Sequence, residues 1–417
     1  MTPRDREPGK GFLALVALTW AAFGLLWAQL ILLHNPILPP PFVVGLFGEI
    51  PATAHPQRFV VMLAKESSLL LLTFAILGLL PSFLALRAGA RGSAATAAAL
   101  CAVAAAVSLV PVAQAWSTAS AEGVSLSLTE YFAGFSPAAD RPSETVTYAR
   151  PGGRKLKLDV WRPPAGDGGV AGTREQPAVV VVHGGGWRNG RRGEFPRWNA
   201  WLADKGYVVF DIDYRLSPPP RWQDAPADVR CAVGWVKENA ASFGVDPERI
   251  ALMGRSAGGQ LALLTTYTQG GTPGAPVLTP GCEVRGEQDT GVAAVAAFYP
   301  PTDLARLSSS GYLHGMDRFL GGTAADVPGR YRLSSPLLWA GPGDPPTFLV
   351  HGGSDRIVPS GQSELLAGRL GEAGVPCRLV ELPWANHTFD FLWGGWGSQI
   401  TRATLEEFLG DHLQDYP

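Results

Sequence analysis

Ile250-Ala251-Leu252-Met253-Gly254-Arg255-Ser256-Ala257-Gly258-Gly259 is the stretch whose reading decides the fold. A short apolar run of strand character enters Gly-x-Ser-x-Gly directly, and an apolar helical segment begins at once behind it. A serine on so sharp a turn must hold a strained backbone, and its neighbours must pass close by without a Cβ. Glycine is abundant in this chain, with 50 residues, so the five-residue pattern by itself carries little weight. The strand–turn–helix setting is what marks Ser256 as a nucleophile presented at a strand end.

Further short apolar runs lie on both sides of this stretch. Ala178–Val182, Tyr207–Ile212, Val292–Phe298 and Thr347–Val350 have the near-continuous hydrophobicity of strands buried on both faces. Leu156–Trp161 instead alternates, as an antiparallel strand does. Amphipathic segments such as Ala225–Ala241 and Ser360–Ala373 separate the runs. The alternation predicts an α/β domain over residues 145–417, with a mostly parallel sheet and helices on both its faces. In such sheets ligands bind outside the carboxyl ends of the strands.

The motifs fall at those ends. Val179–Val182 runs into His183-Gly184-Gly185-Gly186-Trp187, a loop able to offer backbone N–H groups to an oxygen that turns negative in a tetrahedral intermediate. Gly185 and Gly186, together with the N–H of Ala257, are the expected oxyanion hole. His183, directly before the glycines, reads as an anchor of the loop. A serine hydroxyl needs a base, and the base needs an orienting carboxylate, in the chain order Ser, acid, His. His314 and His351 precede the expected acid, His34 and His55 lie in the N-terminal third, and His412 falls near the end of a terminal amphipathic helix. His387, in the loop after the strand Arg378–Leu382, remains as the base. Asp355, leaving Thr347–Val350 through His351-Gly352-Gly353-Ser354, is the expected acid, and Asp303 is its competitor. Asp390 comes after His387 and too close to it.

These residues resemble the hormone-sensitive-lipase-like carboxylesterases and their feruloyl-esterase-like relatives in the α/β-hydrolase superfamily. The resemblance covers roughly residues 145–415 and rests on His183–Trp187, Asp213-Tyr214-Arg215-Leu216-Ser217-Pro218, Gly254–Gly259, Asp355 and His387. The spacings also suit it, with 73 residues from His183 to Ser256, 99 to Asp355 and 32 more to His387. It implies ester hydrolysis through an acyl-enzyme, with no metal or organic cofactor. It also implies that the Asp213–Pro218 stretch buttresses the site. The likeness weakens at Gln269–Gly291 and Ala305–Arg330, which are expected to cover the pocket as lids.

The N-terminal third has a different composition. Charged residues make up 17% of the chain against 46% apolar, and the deficit is concentrated: no formal charge lies between Lys10 and Glu49, Glu66 and Arg87, or Arg91 and Glu122. Three membrane-spanning helices are expected, at about 11–33, 67–86 and 93–115, each near the roughly 20 apolar residues a crossing needs. Ala113-Gln114-Ala115 also resembles a cleavage site for release after the third helix. Basic residues gather at Arg4, Arg6 and Lys10 and again at Arg87 and Arg91. The positive-inside rule therefore keeps both flanks in the cytoplasm and places the catalytic domain outside it. An error in the third helix would invert that. Lys65 and Glu66 read as a marker of the membrane edge, with an intramembrane pair as the alternative. Residues 116–144 read as a linker.

No basic patch or Arg-rich helix is present, so a nucleic-acid partner is not expected. The expected partners are a small-molecule or lipid-like ester and the lipid bilayer. The four cysteines have no metal-ligand spacing, and a Cys231–Cys282 bridge stays open if the domain faces an oxidising compartment. A peptidase or amidase, an acyltransferase, and a non-catalytic membrane-tethered binding module remain alternatives to the esterase.

Overall fold

The computed structural model describes residues 8–32, 56–134, 142–164, 175–269, 290–309 and 315–414. Contacts divide the chain into two units. One holds the N-terminal helices through Gly134 together with Leu382–Ile400; the other holds Phe135–Glu381 and Thr401–Pro417.

The second unit is an α/β domain. Its strands are β1 (Glu144–Ala149), β2 (Leu156–Trp161), β3 (Gln176–Val182), β4 (Val208–Ile212), β5 (Val245–Arg255), β6 (Ala294–Phe298), β7 (Thr347–Gly352) and β8 (Cys377–Leu382). They form one sheet in the order β1-β2-β4-β3-β5-β6-β7-β8. β1–β2 and β2–β4 are antiparallel, whereas β4, β3, β5, β6 and β7 run parallel. The mostly parallel sheet expected from the strand–helix alternation is therefore present. Its central strands read as unbroken valine, alanine and leucine because water reaches neither face: Ala178–Val182 and Ile250–Met253 are all buried.

Register aligns the strand ends. Val182 pairs with Ile212 on one side and Gly254 on the other, Arg255 pairs with Phe298, and Phe298 with Val350. The residues that follow, His183, Asp213, Ser256 and Tyr299, therefore leave the sheet along one edge, and His351 stands at the same level within β7. Helices α7 (Pro196–Asp204), α8 (Asp224–Glu238), α9 (Ala257–Tyr267) and α13 (Gly361–Glu372) pack against β4, β1 and β3, β5 and β6, and β7 respectively. The last helix, α14 (Trp396–Leu413), begins in the helical unit and ends in this one.

Part of the segment expected as a second lid is helical: α10 (Leu304–Ser309), α11 (Met316–Leu320) and α12 (Pro328–Leu333). Most of the first expected lid, Gln269–Gly291, lies outside the described residues, as do His34, His55, Cys282 and His314. Cys231 is disulfide-bonded, and Cys101 and Cys377 are free thiols.

The helical unit contains α1 (Pro8–Leu32), α2 (Pro56–Glu66), α3 (Ser68–Leu77), α4 (Leu79–Arg87), α5 (Arg91–Ala121) and α6 (Leu128–Ala133). Three stretches, Gly9–Leu32, Ser68–Arg87 and Arg91–Ala121, are long and apolar enough to cross a membrane. Small residues let them approach closely: Ala17, Ala21, Ala85, Ala94, Ala97 and Cys101 form a buried cluster. A Cβ at Gly78 would stand 2.6 Å from both Cys101 Sγ and Trp20 Cδ1. Phe12, Leu15, Leu80 and Phe83 point outward instead. The third helix continues to Ala121, and α6 occupies part of the stretch read as linker. Its signal was present in Ser127-x-x-Glu130, where Ser127 Oγ accepts the Glu130 N–H at 3.1 Å.

Candidate active site

Ser256 stands between β5 and α9 with φ 52° and ψ −119°, a left-handed conformation that side chains other than glycine rarely hold. Its own N–H donates to the Phe298 carbonyl at 2.9 Å, and its carbonyl accepts the Gln260 N–H at 3.0 Å. The turn is thus fastened to β6 on one side and to the helix on the other. The flanking glycines are there for space. A Cβ at Gly254 would lie 2.2 Å from the Gly258 carbonyl oxygen, and one at Gly258 would lie 2.3 Å from those of Val182 and His183. The elbow and the end of β3 touch through bare backbone.

The His183–Trp187 loop is built the same way. Gly185, Gly186 and Trp187 have φ of 114°, 59° and 59°. A Cβ at Gly184 would be 3.5 Å from the Ser256 Cβ, so this loop lies directly against Ser256. The Ala257 N–H belongs to the first turn of α9, where backbone donors have no intrahelical partner. Trp187 turns into the core, stacks on Phe319 at 4.7 Å and donates Nε1–H to Gln260 Oε1 at 2.9 Å. Gln260 Nε2 then donates to the Ser334 carbonyl at 2.8 Å. This glutamine ties the His183–Trp187 loop to the elbow helix. Sequence reading missed it, although a lone amide in an apolar helix was a usable signal.

His183 is an anchor, as its place before the glycines implied. It stacks on Tyr214 at 4.3 Å, and its Nδ1 lies 2.7 Å from the Gly184 carbonyl. Burial lowers its pKa to about 4, so at neutral pH the ring is uncharged and Nδ1–H donates. The Asp213–Pro218 stretch buttresses the loop. Ser217 N–H donates to the Trp187 carbonyl at 2.8 Å, and Arg215 grips the buried Asp228 through Nε and Nη2 at 2.9 and 2.7 Å. Behind the loop, Asp211 accepts from Gly193 N–H and Asn199 Nδ2 at 2.7 and 2.8 Å, and burial pushes its carboxyl up to about 7. Arg255 is enclosed by the rings of Phe195, Phe298 and Trp198, at 4.2, 4.8 and 5.1 Å.

Asp355 follows β7. Its Oδ1 accepts the N–H groups of Ile357 and Val358 at 2.7 and 3.0 Å, and Oδ2 faces His351 Nε2 at 3.4 Å. His351 is itself buried between Ser363 Oγ at 2.7 Å and the Val358 carbonyl at 2.9 Å. The histidine set aside because it precedes the expected acid therefore shapes the Asp355 loop. The competitor Asp303 accepts the Arg306 N–H at 3.0 Å and caps α10. Ser256, Gly185, Gly186, Ala257 and Asp355 all belong to the α/β unit.

His387 lies in the helical unit's Leu382–Ile400 segment and is buried. Its N–H donates to Asn386 Oδ1 at 2.9 Å, and the next residue, Thr388, holds a left-handed φ of 61° while its hydroxyl donates to the His387 carbonyl at 2.6 Å. The backbone on both sides of the imidazole is therefore pinned.

A family model described as BD-FAE matches residues 158–370. The chain belongs to the BD-FAE family. It is 34% identical over 268 residues to Esterase LipQ of Mycobacterium tuberculosis, an alignment covering 62% of this chain and 60% of that protein. The chain thus spans about 60% of the length of the curated relatives it matches. Among solved structures it is similar to a thermophilic esterase of Thermogutta terrifontis, with TM-score 0.55 and 28% identity, covering 67% of this chain and 96% of that one. The same enzyme phosphorylated by paraoxon gives TM-score 0.54 and 29% identity, covering 66% of this chain and 95% of that one. This BD-FAE member is an α/β-hydrolase of carboxylesterase type in fold.

Proposed function

We propose that this BD-FAE protein is a membrane-anchored serine carboxylesterase that cleaves short- to medium-chain esters. The observation that carries the reading is the left-handed Ser256 on its strand–turn–helix elbow, with the glycine loop against it. Ser256 Oγ attacks the ester carbonyl while His387 takes the hydroxyl proton. Asp355 orients the imidazole and stabilises its charged form. The N–H groups of Gly185, Gly186 and Ala257 hold the oxygen that becomes negative, where one such donor is worth about 2.7–4 kcal/mol in the transition state. The tetrahedral intermediate collapses, the alcohol leaves with the proton from His387, and the acyl group stays on Ser256. Water, deprotonated by the same imidazole, then releases the acid.

The three apolar helices hold the enzyme in the bilayer, with the catalytic unit outside the cytoplasm. The positive flanks support that side, and so does a disulfide at Cys231, which an oxidising compartment preserves. The substrate class that fits such a location is an acyl or acetyl ester on an envelope lipid or polysaccharide.

A fluorophosphonate probe should label the wild type and not Ser256→Ala; equal labelling of both would overturn the assignment. Turnover of p-nitrophenyl acetate, butyrate and octanoate against an aminoacyl anilide separates esterase from peptidase. A C-terminal reporter active only in the cytoplasm would refute the topology.

A further inference from the structure

Glu66 closes α2, directly before the apolar stretch Ser68–Arg87, and its side chain is fully buried. A carboxylate shut away from water must find donors, and both come from the segment that carries His387. Oε1 accepts Trp384 Nε1–H at 3.0 Å and Oε2 accepts the Gly397 N–H at 3.2 Å. One donor precedes the imidazole by three residues and the other follows it by ten. Space is reserved for the carboxylate: a Cβ at Gly395 would stand 2.7 Å from Oε2, and one at Gly397 would stand 3.3 Å from Oε1.

The grip extends beyond one side chain. The Glu66 carbonyl accepts the Tyr131 hydroxyl at 2.8 Å, and the Tyr131 ring stacks on Trp396 at 4.3 Å. Ser127 and Gln399 exchange two bonds, 2.8 Å from Ser127 N–H to Oε1 and 3.1 Å from Nε2 to the Ser127 carbonyl. Gly134 and Gly394 approach so closely that a Cβ at Gly134 would fall 2.2 Å from the Gly394 nitrogen. The segment from Leu382 to Ile400 accordingly groups with the N-terminal helices. Burial raises the Glu66 carboxyl to about 7, against the lowering effect of the Gly397 and Trp384 donors and of Lys65, while Asp390 adds to the rise.

We propose that Glu66 is a positioning residue for His387: the N-terminal helical region forms the mount of the histidine-bearing segment and is part of the catalytic machinery as well as an anchor. This rests on the reading of His387 as the base. A base shifted by about 1 Å loses on the order of 100-fold in rate, while ester binding away from the imidazole is unaffected.

The test uses the full chain in detergent, assayed at pH 8 with p-nitrophenyl butyrate. Glu66→Ala should lower kcat roughly 100-fold with little change in KM. Glu66→Gln keeps one acceptor for two donors and should fall between it and wild type. Trp384→Phe removes the indole N–H together with the pyrrole half of the ring and should also lower kcat. Added to Glu66→Ala it should do no further harm, because both changes break one link. Thermal melting and elution volume establish that each variant is folded. A folded Glu66→Ala with wild-type kcat overturns the proposal. If that variant does not fold, wild-type kcat in both Glu66→Gln and Trp384→Phe overturns it instead. Ser256→Ala separates the two levels: its inactivity beside fully active Glu66 variants removes only the positioning role, whereas full activity of Ser256→Ala removes the triad reading and the positioning role with it.

Discussion

Gly258→Ala adds one methyl at the junction between the Ser256 elbow and the end of β3. The new Cβ would stand 2.3 Å from the carbonyl oxygens of Val182 and His183. Both obstacles are backbone, so no side chain can swing aside. Restoring van der Waals contact requires α9 and the end of β3 to separate by about 1 Å, and overpacking of this kind costs about 1–3 kcal/mol. The displacement falls between Ser256 and the glycines that face it, where about 1 Å of misplacement is worth roughly 100-fold in rate. The expected result is a Tm lowered by several degrees and kcat/KM for p-nitrophenyl butyrate reduced roughly 100-fold or more. Gly368→Ala is the matched control. It lies inside α13 with nothing within 4 Å of the added Cβ, so the same change there should raise stability by about 1 kcal/mol and leave activity alone. A Gly258→Ala enzyme as active and stable as the Gly368→Ala control would refute the close-approach argument.

Three further outcomes follow from the buried polar groups. Gln260→Leu keeps the volume but strands Trp187 Nε1–H and the Ser334 carbonyl; at about 1–3 kcal/mol for each buried unpaired group, urea unfolding should show a loss of about 2–6 kcal/mol, and kcat should fall more than KM rises. Arg215→Met leaves Asp228 buried without its cation and should cost about 3–5 kcal/mol, readable in the same assay. His183 has a folded pKa near 4 against 6.5 in the unfolded chain, so only the unfolded state takes up its proton in that window. Its burial therefore lowers stability as pH falls from about 6.5 to 4, by on the order of 3 kcal/mol. The Tm gap between wild type and His183→Gln should shrink over that range, and a constant gap would contradict the assignment.

The parts legible in the sequence were those whose physics is local. A strand buried on both faces must be apolar throughout, so β3 and β5 announced themselves. A turn that forces φ positive or brings backbone against backbone must use glycine, so Gly254, Gly258 and the 184–186 loop stand out in the sequence. What stayed hidden depends on residues distant in the chain. Gln260 reaches Ser334 across 74 residues, and nothing near either one announces the other. His351 was set aside by chain order, a rule about which histidine takes the proton that says nothing of which one shapes the Asp355 loop. Glu66 shows the same gap over 318 residues to Trp384. In the sequence it is a charge beside Lys65 at the rim of an apolar stretch, where solvation explains it fully. Only the fold turns it inward.

That difference bears on what the helices are for. A tether needs length, hydrophobicity and charged flanks, all of which the N-terminal third displays. It does not need a fully buried carboxylate, since desolvating one is costly unless its donors are fixed. Anchorage also leaves unexplained glycines at 394, 395 and 397 that clear space for Gly134 and for Glu66. Those features make sense where a short segment must be held in one conformation, and between Trp384 and Gly397 that segment contains His387. In the proposed mechanism His387 must meet a proton within hydrogen-bond reach, and there a rigid mount matters because looseness is paid directly in rate.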